Sequence, residues 1–248
     1  GHSMMYVIGK DERHEKAQAK LTAGTFGNRH AIHATLTTKS TSYTLTEDLG
    51  PRSVYNCYGG TVTDKADPLF FRITANPRDN DLARNEAEKL RWLRAESKAK
   101  DLKTLVHITG FVDSFEIAQD GVRQQVNVYP RLRGYVTLAD VIKAYPDGIE
   151  LRSAAWMFRR LLGALVAVHG AELVHGAVLP ETFWIRPDQP GDPEDPRPAD
   201  VHNGILTEFS FCVRRGQALR AIVPGAKMFY GEEVIQKRPA NGGTDLFM

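Results

Sequence analysis

Thiol chemistry, membrane insertion and a strong charge of one sign are all in short supply in this chain. Its 248 residues include two cysteines, Cys57 and Cys212. The pair forms no metal-ligand spacing, and a disulfide framework needs more of them, so a reducing cytoplasm is the expected compartment. No stretch approaches the ~18 uninterrupted apolar residues of a membrane helix, and there is no secretory apolar core. The 32 basic residues are almost balanced by 30 acidic ones, for a formal net charge of +2. They are dispersed rather than gathered on a stripe, so neither nucleic acid nor a membrane is expected as a partner.

What is present is an ordinary globular composition, 42% hydrophobic and 25% charged. That is enough chain for one large core or two modest ones. Gly1-His2-Ser3-Met4 reads as a tag remnant before a start at Met5 and is set aside. Residues 5–42 form an N-terminal extension. In it Asp11 to Leu21 has weak helical character, and Ile32 to Thr46 alternates as strands do. The Gly24/Gly27 pair imitates a phosphate loop, but glycines at this spacing also mark an ordinary turn.

From Tyr43 the pattern sharpens. Tyr43 to Thr46 reads as a strand, Leu49 to Arg52 as a turn, and Ser53 to Tyr58 as a second strand closed by Gly59-Gly60. Leu69 to Ile73 is a third strand. A turn at Asn76–Asn80 offers Asp79 or Asn80 as a helix cap. The helix that follows, to about Ala95, has an apolar face of Leu82, Leu90 and Leu93 with Ala83 and Ala87 beside them. Glu86 lies on that same face, where a carboxylate either reaches the edge or needs a cation or hydrogen bonds. Leu105 to Glu116 and Gln124 to Tyr129 read as two more strands around an Asp120-Gly121 turn.

The first half therefore reads β-β-β-α-β-β, five strands and one helix. In the second half Thr137-Leu138-Ala139-Asp140 is a capping box that opens a short helix. Residues 152–170 form the strongest helix, with Phe158, Leu161, Leu162, Leu165 and Val168 on one face. Phe183 to Ile185 is a short strand, residues 187–200 are a proline-rich acidic loop, and Ile205 to Phe209 resumes the structured chain.

The segment His175-Gly176-Ala177-Val178-Leu179-Pro180-Glu181-Thr182 resembles the catalytic loop of protein kinases, His-Arg-Asp-Leu-Lys-Pro-Glu-Asn. More narrowly, it resembles kinase-like proteins of actinobacteria and their phages. Other landmarks follow in the kinase order. Tyr43 to Tyr58 resembles the strands around the glycine-rich loop. Arg72 stands in the place of the ATP-binding lysine, and Glu86 in that of the helix glutamate. Glu208-Phe209-Ser210 stands where Asp-Phe-Gly would be. Tyr230-Gly231-Glu232-Glu233 resembles the end of the activation segment, and Thr244-Asp245 the start of the next large helix. The resemblance covers about residues 43–248. It implies an α+β, two-lobed fold, with a five-stranded N-lobe over 43–128 and a mainly helical C-lobe over 129–248. The C-lobe stops before its later helices, so the chain is truncated, minimal, or completed by another chain.

Residue by residue, the resemblance implies lost chemistry. Phosphoryl transfer needs a positioned base, metal ligands and a cation on the phosphates. Ala177 holds the base position, Leu179 the loop lysine position and Thr182 the second metal-ligand position. Glu208 holds the first, one methylene longer than Asp. Gly50 remains in the glycine-rich loop, but Pro51 offers no amide to phosphate. His175, Pro180 and Glu181 are then scaffold, with no catalytic residue among the degenerate positions. An Arg72–Glu86 pair would explain a carboxylate on an apolar face, chiefly as a structural ion pair. The hinge would lie near Tyr129-Pro130-Arg131. No cofactor is expected, or at most weak ATP and Mg²⁺ held by Gly50, Arg72, Glu86, Tyr129 and Glu208, unless Pro51-Arg52 fills the cleft. The implied role is that of a pseudokinase binding another protein or associating with itself through the truncated C-lobe. The alternative is an atypical phosphotransferase using Glu208 for its metal.

Overall fold

A computed structural model describes residues 6–7, 30, 32–100, 103–187 and 203–248. The Asp11–Leu21 segment, the Gly24/Gly27 turn and residues 188–200 of the acidic loop lie outside the described residues. A two-residue strand β1 (Tyr6–Val7) comes first. The main sheet is built from β2 (Thr35–Thr37), β3 (Ser42–Arg52), β4 (Tyr55–Val62), β5 (Leu69–Thr74), β6 (Asp113–Gln119) and β7 (Val122–Pro130). It is antiparallel, in the order β2-β3-β4-β5-β7-β6.

The sheet thus has six strands, not the five expected. The extra strand is β2, where Leu36 points inward at 5% exposure between two outward threonines. The Thr38 hydroxyl accepts the Thr41 amide at 3.0 Å and tightens the turn into β3. Threonine's branched Cβ suits this half-buried pleat.

The first hairpin turns at Ser53–Val54, not at Leu49–Arg52. Gly50, at φ +85°, is absorbed in a bulge of β3, and Arg52 pairs directly with Tyr55. Gly59 and Gly60 do not close β4 but lie inside it. A Cβ on Gly60 would sit 2.3 Å from the Thr44 carbonyl oxygen, so close approach, not a turn, demands glycine there. The second hairpin turns where expected, with Asp120 and Gly121 both at positive φ. Leu105 to Val112, expected as strand, instead begins as a 3₁₀ turn over Lys103–His107. It joins the second half through an isolated bridge from Ile108 to Leu206 and through His107, whose Nδ1 lies 3.0 Å from the Gly204 carbonyl oxygen.

Helix α1 (Asn80–Ala99) runs four residues past its expected end and buries Leu82, Ala83, Glu86, Ala87, Leu90 and Leu93. Its cap is Asp79, whose side chain makes no capping bond; Asn76 caps the preceding 3₁₀ turn instead. In the second half come β8 (Val136–Thr137), α2 (Leu138–Ala144), α3 (Leu151–Gly170), β9 (Leu173–Val174), β10 (Phe183–Arg186) and β11 (Asn203–Leu206). The chain continues through β12 (Val213–Arg214), β13 (Ala221–Ile222), α4 (Glu232–Ile235) and α5 (Gly242–Phe247). The Thr137 capping box forms, with both reciprocal bonds at 3.0 Å.

One apolar cluster joins the halves, with Leu90 and Leu93 of α1 packing among Leu165, Val168, Phe183 and Phe209. The expected apolar face of α3 is covered only in part. Leu165 and Val168 are buried, whereas Phe158 is 58% exposed. No helix among the described residues is long and apolar enough to cross a membrane.

Candidate functional site

Arg72 and Glu86 do meet. Arg72 stands in β5 between β4 and β7, and its Nη1 donates to both Glu86 oxygens at 3.1 and 3.2 Å. Its Nη2 donates to Glu208 Oε2 at 2.5 Å, closing a contact from the sheet to the chain after β11. The guanidinium also lies over the Tyr55 ring, its carbon 3.9 Å from the ring centre. Arg72 and Glu208 are each 7% exposed and Glu86 is fully covered. Burial works against the charge on Arg72, but the two carboxylates outweigh it and hold it firmly protonated. Burial is also what pushes the Glu86 carboxyl above its usual range, with Arg72 pulling it down and Glu208 pushing it up.

Glu86 is a junction rather than half of a pair. It accepts from the Phe209 amide at 2.8 Å, the Ser210 hydroxyl at 3.2 Å, Asn127 Nδ2 at 3.4 Å and the Tyr129 hydroxyl. One residue earlier on α1, Asn85 donates to the Ser210 and Cys212 carbonyls at 3.0 and 2.9 Å. Two neighbours on one helix therefore grip the 208–212 turn. Glu208 itself sits at φ +66°, a strained conformation for a residue with a Cβ, and the bond to Arg72 helps hold it there.

Tyr55 completes the inner site from the tip of the first hairpin. It is fully buried, and its hydroxyl lies 2.5 Å from Ser210 Oγ. Burial pushes its pKa well up. Tyr55→Phe keeps the ring on Arg72 and loses only this bond. The expected cost is about 1 kcal/mol in urea unfolding; no change would show that the hydroxyl holds nothing.

The loop from His175 to Thr182 is bonded to itself and to its surroundings. His175 is fully buried, and burial lowers its pKa, so the ring is neutral. Its Nδ1 accepts the Ala177 amide at 3.1 Å, which leaves Nε2–H to donate to the Thr207 carbonyl at 2.8 Å. The ring also meets Phe209 edge-on at 4.7 Å. Asp245 ties the loop from behind, accepting the His175 and Gly176 amides at 2.8 Å each.

Ala177 packs in one apolar cluster with Val54, Phe211 and Ala221. Leu179 packs with Val174, Leu219 and Tyr230. Thr182 turns its hydroxyl into the loop, 2.6 Å from the Ala177 carbonyl, and accepts the Leu179 amide at 3.0 Å. The Gly50 amide is taken by the Asp48 carboxylate at 3.0 Å. Tyr129 does not face an open hinge. Its ring lies inside, 6.0 Å from Phe70 and 6.1 Å from Phe111, with its hydroxyl on Glu86. Arg131 crosses Gly59 to reach Glu47 at 2.6 Å.

The structure thus gathers Arg72, Glu86, Tyr129 and Glu208 at one point, while Gly50 stands apart on the hairpin. The Thr182 hydroxyl is spent within its loop and is not free to serve as a second metal ligand, whereas Glu208 Oε1 has no hydrogen bond among the described residues. Sequence reasoning missed Tyr55, Ser210, Asn85 and Asn127. Of these, only Asn85 has a local signal, its place directly before Glu86 on the helix.

No protein-family model matches the chain, and no curated protein matches it in sequence. Its fold is similar to that of a solved structure of vaccinia related kinase 3. That likeness has a TM-score of 0.64 and 19% identity, over 92% of this chain and 68% of that one. It shows that the chain has a kinase-like fold.

Proposed function

We propose that this is a two-lobed, catalytically inactive kinase-like domain, with lobes dividing near residues 128–129, that acts as a protein-interaction or regulatory module. The observation that carries the reading is that Arg72 and Glu208 are spent on each other. These are the two charged side chains left to hold phosphate and metal, and they meet at 2.5 Å under the ring of Tyr55. Ala177 adds no proton acceptor, and it belongs to one buried apolar cluster with Val54 and Tyr55 of the hairpin tip. In this reading no nucleotide or metal is required, and the degenerate loop serves as scaffold.

The partner would be another protein, or a second copy, rather than nucleic acid or membrane. Apolar side chains on the second half support this: Phe158, Val166, Leu246 and Phe247 are 57–65% exposed. The cytoplasm suits two buried free cysteines. The test is incubation of the whole chain with labelled ATP and Mg²⁺, alongside thermal-shift titration. No incorporation and no shift are expected. Label transfer that is abolished by Glu208→Ala would sink the reading. That outcome would favour an atypical phosphotransferase, for which the unbonded Glu208 Oε1 is the supporting feature.

A further inference from the structure

Strand β13 presents a backbone edge and little else. Ala221 and Ile222 are both buried, and they belong to different apolar clusters, Ala221 with the hairpin tip and Ala177, Ile222 with Leu179, Leu219 and Tyr230. Successive strand residues point to opposite faces, so both faces of β13 are already packed. The chain beyond it is pinned as well. The Val223 amide donates to the Tyr230 hydroxyl at 3.1 Å, and that hydroxyl donates in turn to the Gly176 carbonyl at 2.7 Å. What β13 has left to offer is its row of N–H and C=O groups. Among the described residues that row has one strand partner, β1 of the N-terminal extension. The pair is antiparallel, with Tyr6 opposite Ile222 and Val7 opposite Ala221.

The two strands of this small sheet are unequal. β13 is fixed by two apolar clusters, whereas β1 matches it over two residues. Each backbone hydrogen bond in such a ladder shifts an equilibrium about five-fold, and a two-stranded ribbon alone is marginal. β1 therefore parts from β13 without disturbing the packing beneath it. An uncovered strand edge is a ready template for a foreign strand, and folded chains cover such edges. The edge that β1 vacates is already ordered, so an incoming strand bears only its own ordering cost.

We propose that β1 is an intramolecular guard strand: the chain's own residues 6–7 occupy the docking edge of β13, and their release opens that edge to an extended strand of a partner protein. Recognition of this kind runs through main-chain groups and needs neither nucleotide nor metal. The nature of the incoming partner rests on the proposed interaction role, whereas the occupancy of β13 by β1 does not.

The tests use the whole chain. Val7→Cys/Ala221→Cys and Tyr6→Cys/Ile222→Cys each place a cysteine pair across the register, so that misfolding of one variant leaves the other to decide. Under mild oxidation an intrachain disulfide is expected, located by peptide mapping. Absence of the cross-link from the folded variants overturns the contact, and an interchain cross-link overturns it in favour of a second copy. In Tyr6→Pro/Val7→Pro neither residue has an amide to donate. Hydrogen exchange at the better protected of the Ala221 and Ile222 amides is expected to quicken about five-fold or more, with Val223 unchanged. The free peptide Met5-Tyr6-Val7-Ile8-Gly9-Lys10 is expected to restore slow exchange to that variant at millimolar concentration. The same peptide is expected to leave wild type unaltered, because its tethered strand already fills the edge. Exchange that does not quicken overturns the guard role, and a peptide that restores nothing overturns the edge as a docking site. ATP is absent from every readout, so failure here is distinct from detection of label transfer.

Discussion

Arg72→Met is expected to be the most damaging single substitution in the protein, costing about 3–5 kcal/mol and lowering the thermal midpoint by roughly 10 °C. Methionine fills much the same space, so the loss is electrostatic. It leaves Glu86 and Glu208 facing one another in a covered site with no cation between them. Removing one partner of a buried cluster exposes the desolvation cost of the others, whereas removing all the charges together does not. The triple variant Arg72→Met/Glu86→Gln/Glu208→Gln is therefore expected to recover to within about 2 kcal/mol of wild type. The Glu86→Gln change keeps a side-chain oxygen for the Phe209 amide, so the turn after β11 stays gripped. Chemical unfolding of wild type and the two variants decides it. If Arg72→Met falls within the error of wild type, the guanidinium does not hold the sheet to the second half.

The same cluster separates two questions that the sequence presents as one. The resemblance sets Arg72 in the place of a kinase's ATP-binding lysine and Glu86 in that of the glutamate paired with it, and here the pair is extended by Glu208, Tyr55 and Ser210 into a closed junction. Its members lie on the sheet, on α1, at the hairpin tip and after β11, so one buried charge cluster spans the chain from both sides. A cluster with that role is a part of the fold's stability, which supports the reading of the site as scaffold.

How much of this was legible depends on the range of each signal. The kinase-like order of landmarks was readable because each one is local: the Thr137 capping box, the Pro180-Glu181 spacing, the apolar stripe around Glu86. Glu86 was legible as an anomaly, and Arg72 as its answer. The contact to Glu208 was not, because it joins residues 136 apart and nothing near either one marks the other. Tyr55 read as one more strand aromatic, since only tertiary packing reveals that its hydroxyl ends on Ser210. Gly59 and Gly60 misled for a different reason. Turns and close backbone approach select the same residue, and only the neighbouring Thr44 carbonyl tells them apart. The sixth strand was visible as alternation between Ile32 and Thr46 but lay outside the resemblance, which begins at Tyr43.

A second large effect is expected at Asp79, which takes no part in the Arg72–Glu86–Glu208 cluster. This carboxyl is fully covered at the start of α1, and neither oxygen has a hydrogen-bond partner among the described residues. Its nearest cation, the Arg78 Nε, is 3.8 Å away. Burial raises its pKa from the ordinary 3.8 to about 7, with Arg78 opposing. Because the folded value is the higher one, the folded chain holds this proton more tightly than the unfolded chain. The contribution to stability is complete below the unfolded value and is lost as pH climbs through about 7. The full swing is about 4 kcal/mol. Asp79→Asn keeps the shape and abolishes the ionisation. At pH 8 it is expected to be more stable than wild type by up to about 4 kcal/mol, and near pH 4 the two proteins converge. Urea unfolding of both across pH 4 to 8 reads the difference directly, since every other titrating group is common to the pair. A constant difference over that range would mean that Asp79 ionises in the folded protein as freely as in the unfolded one. It would then need a cation or water bound at the head of α1.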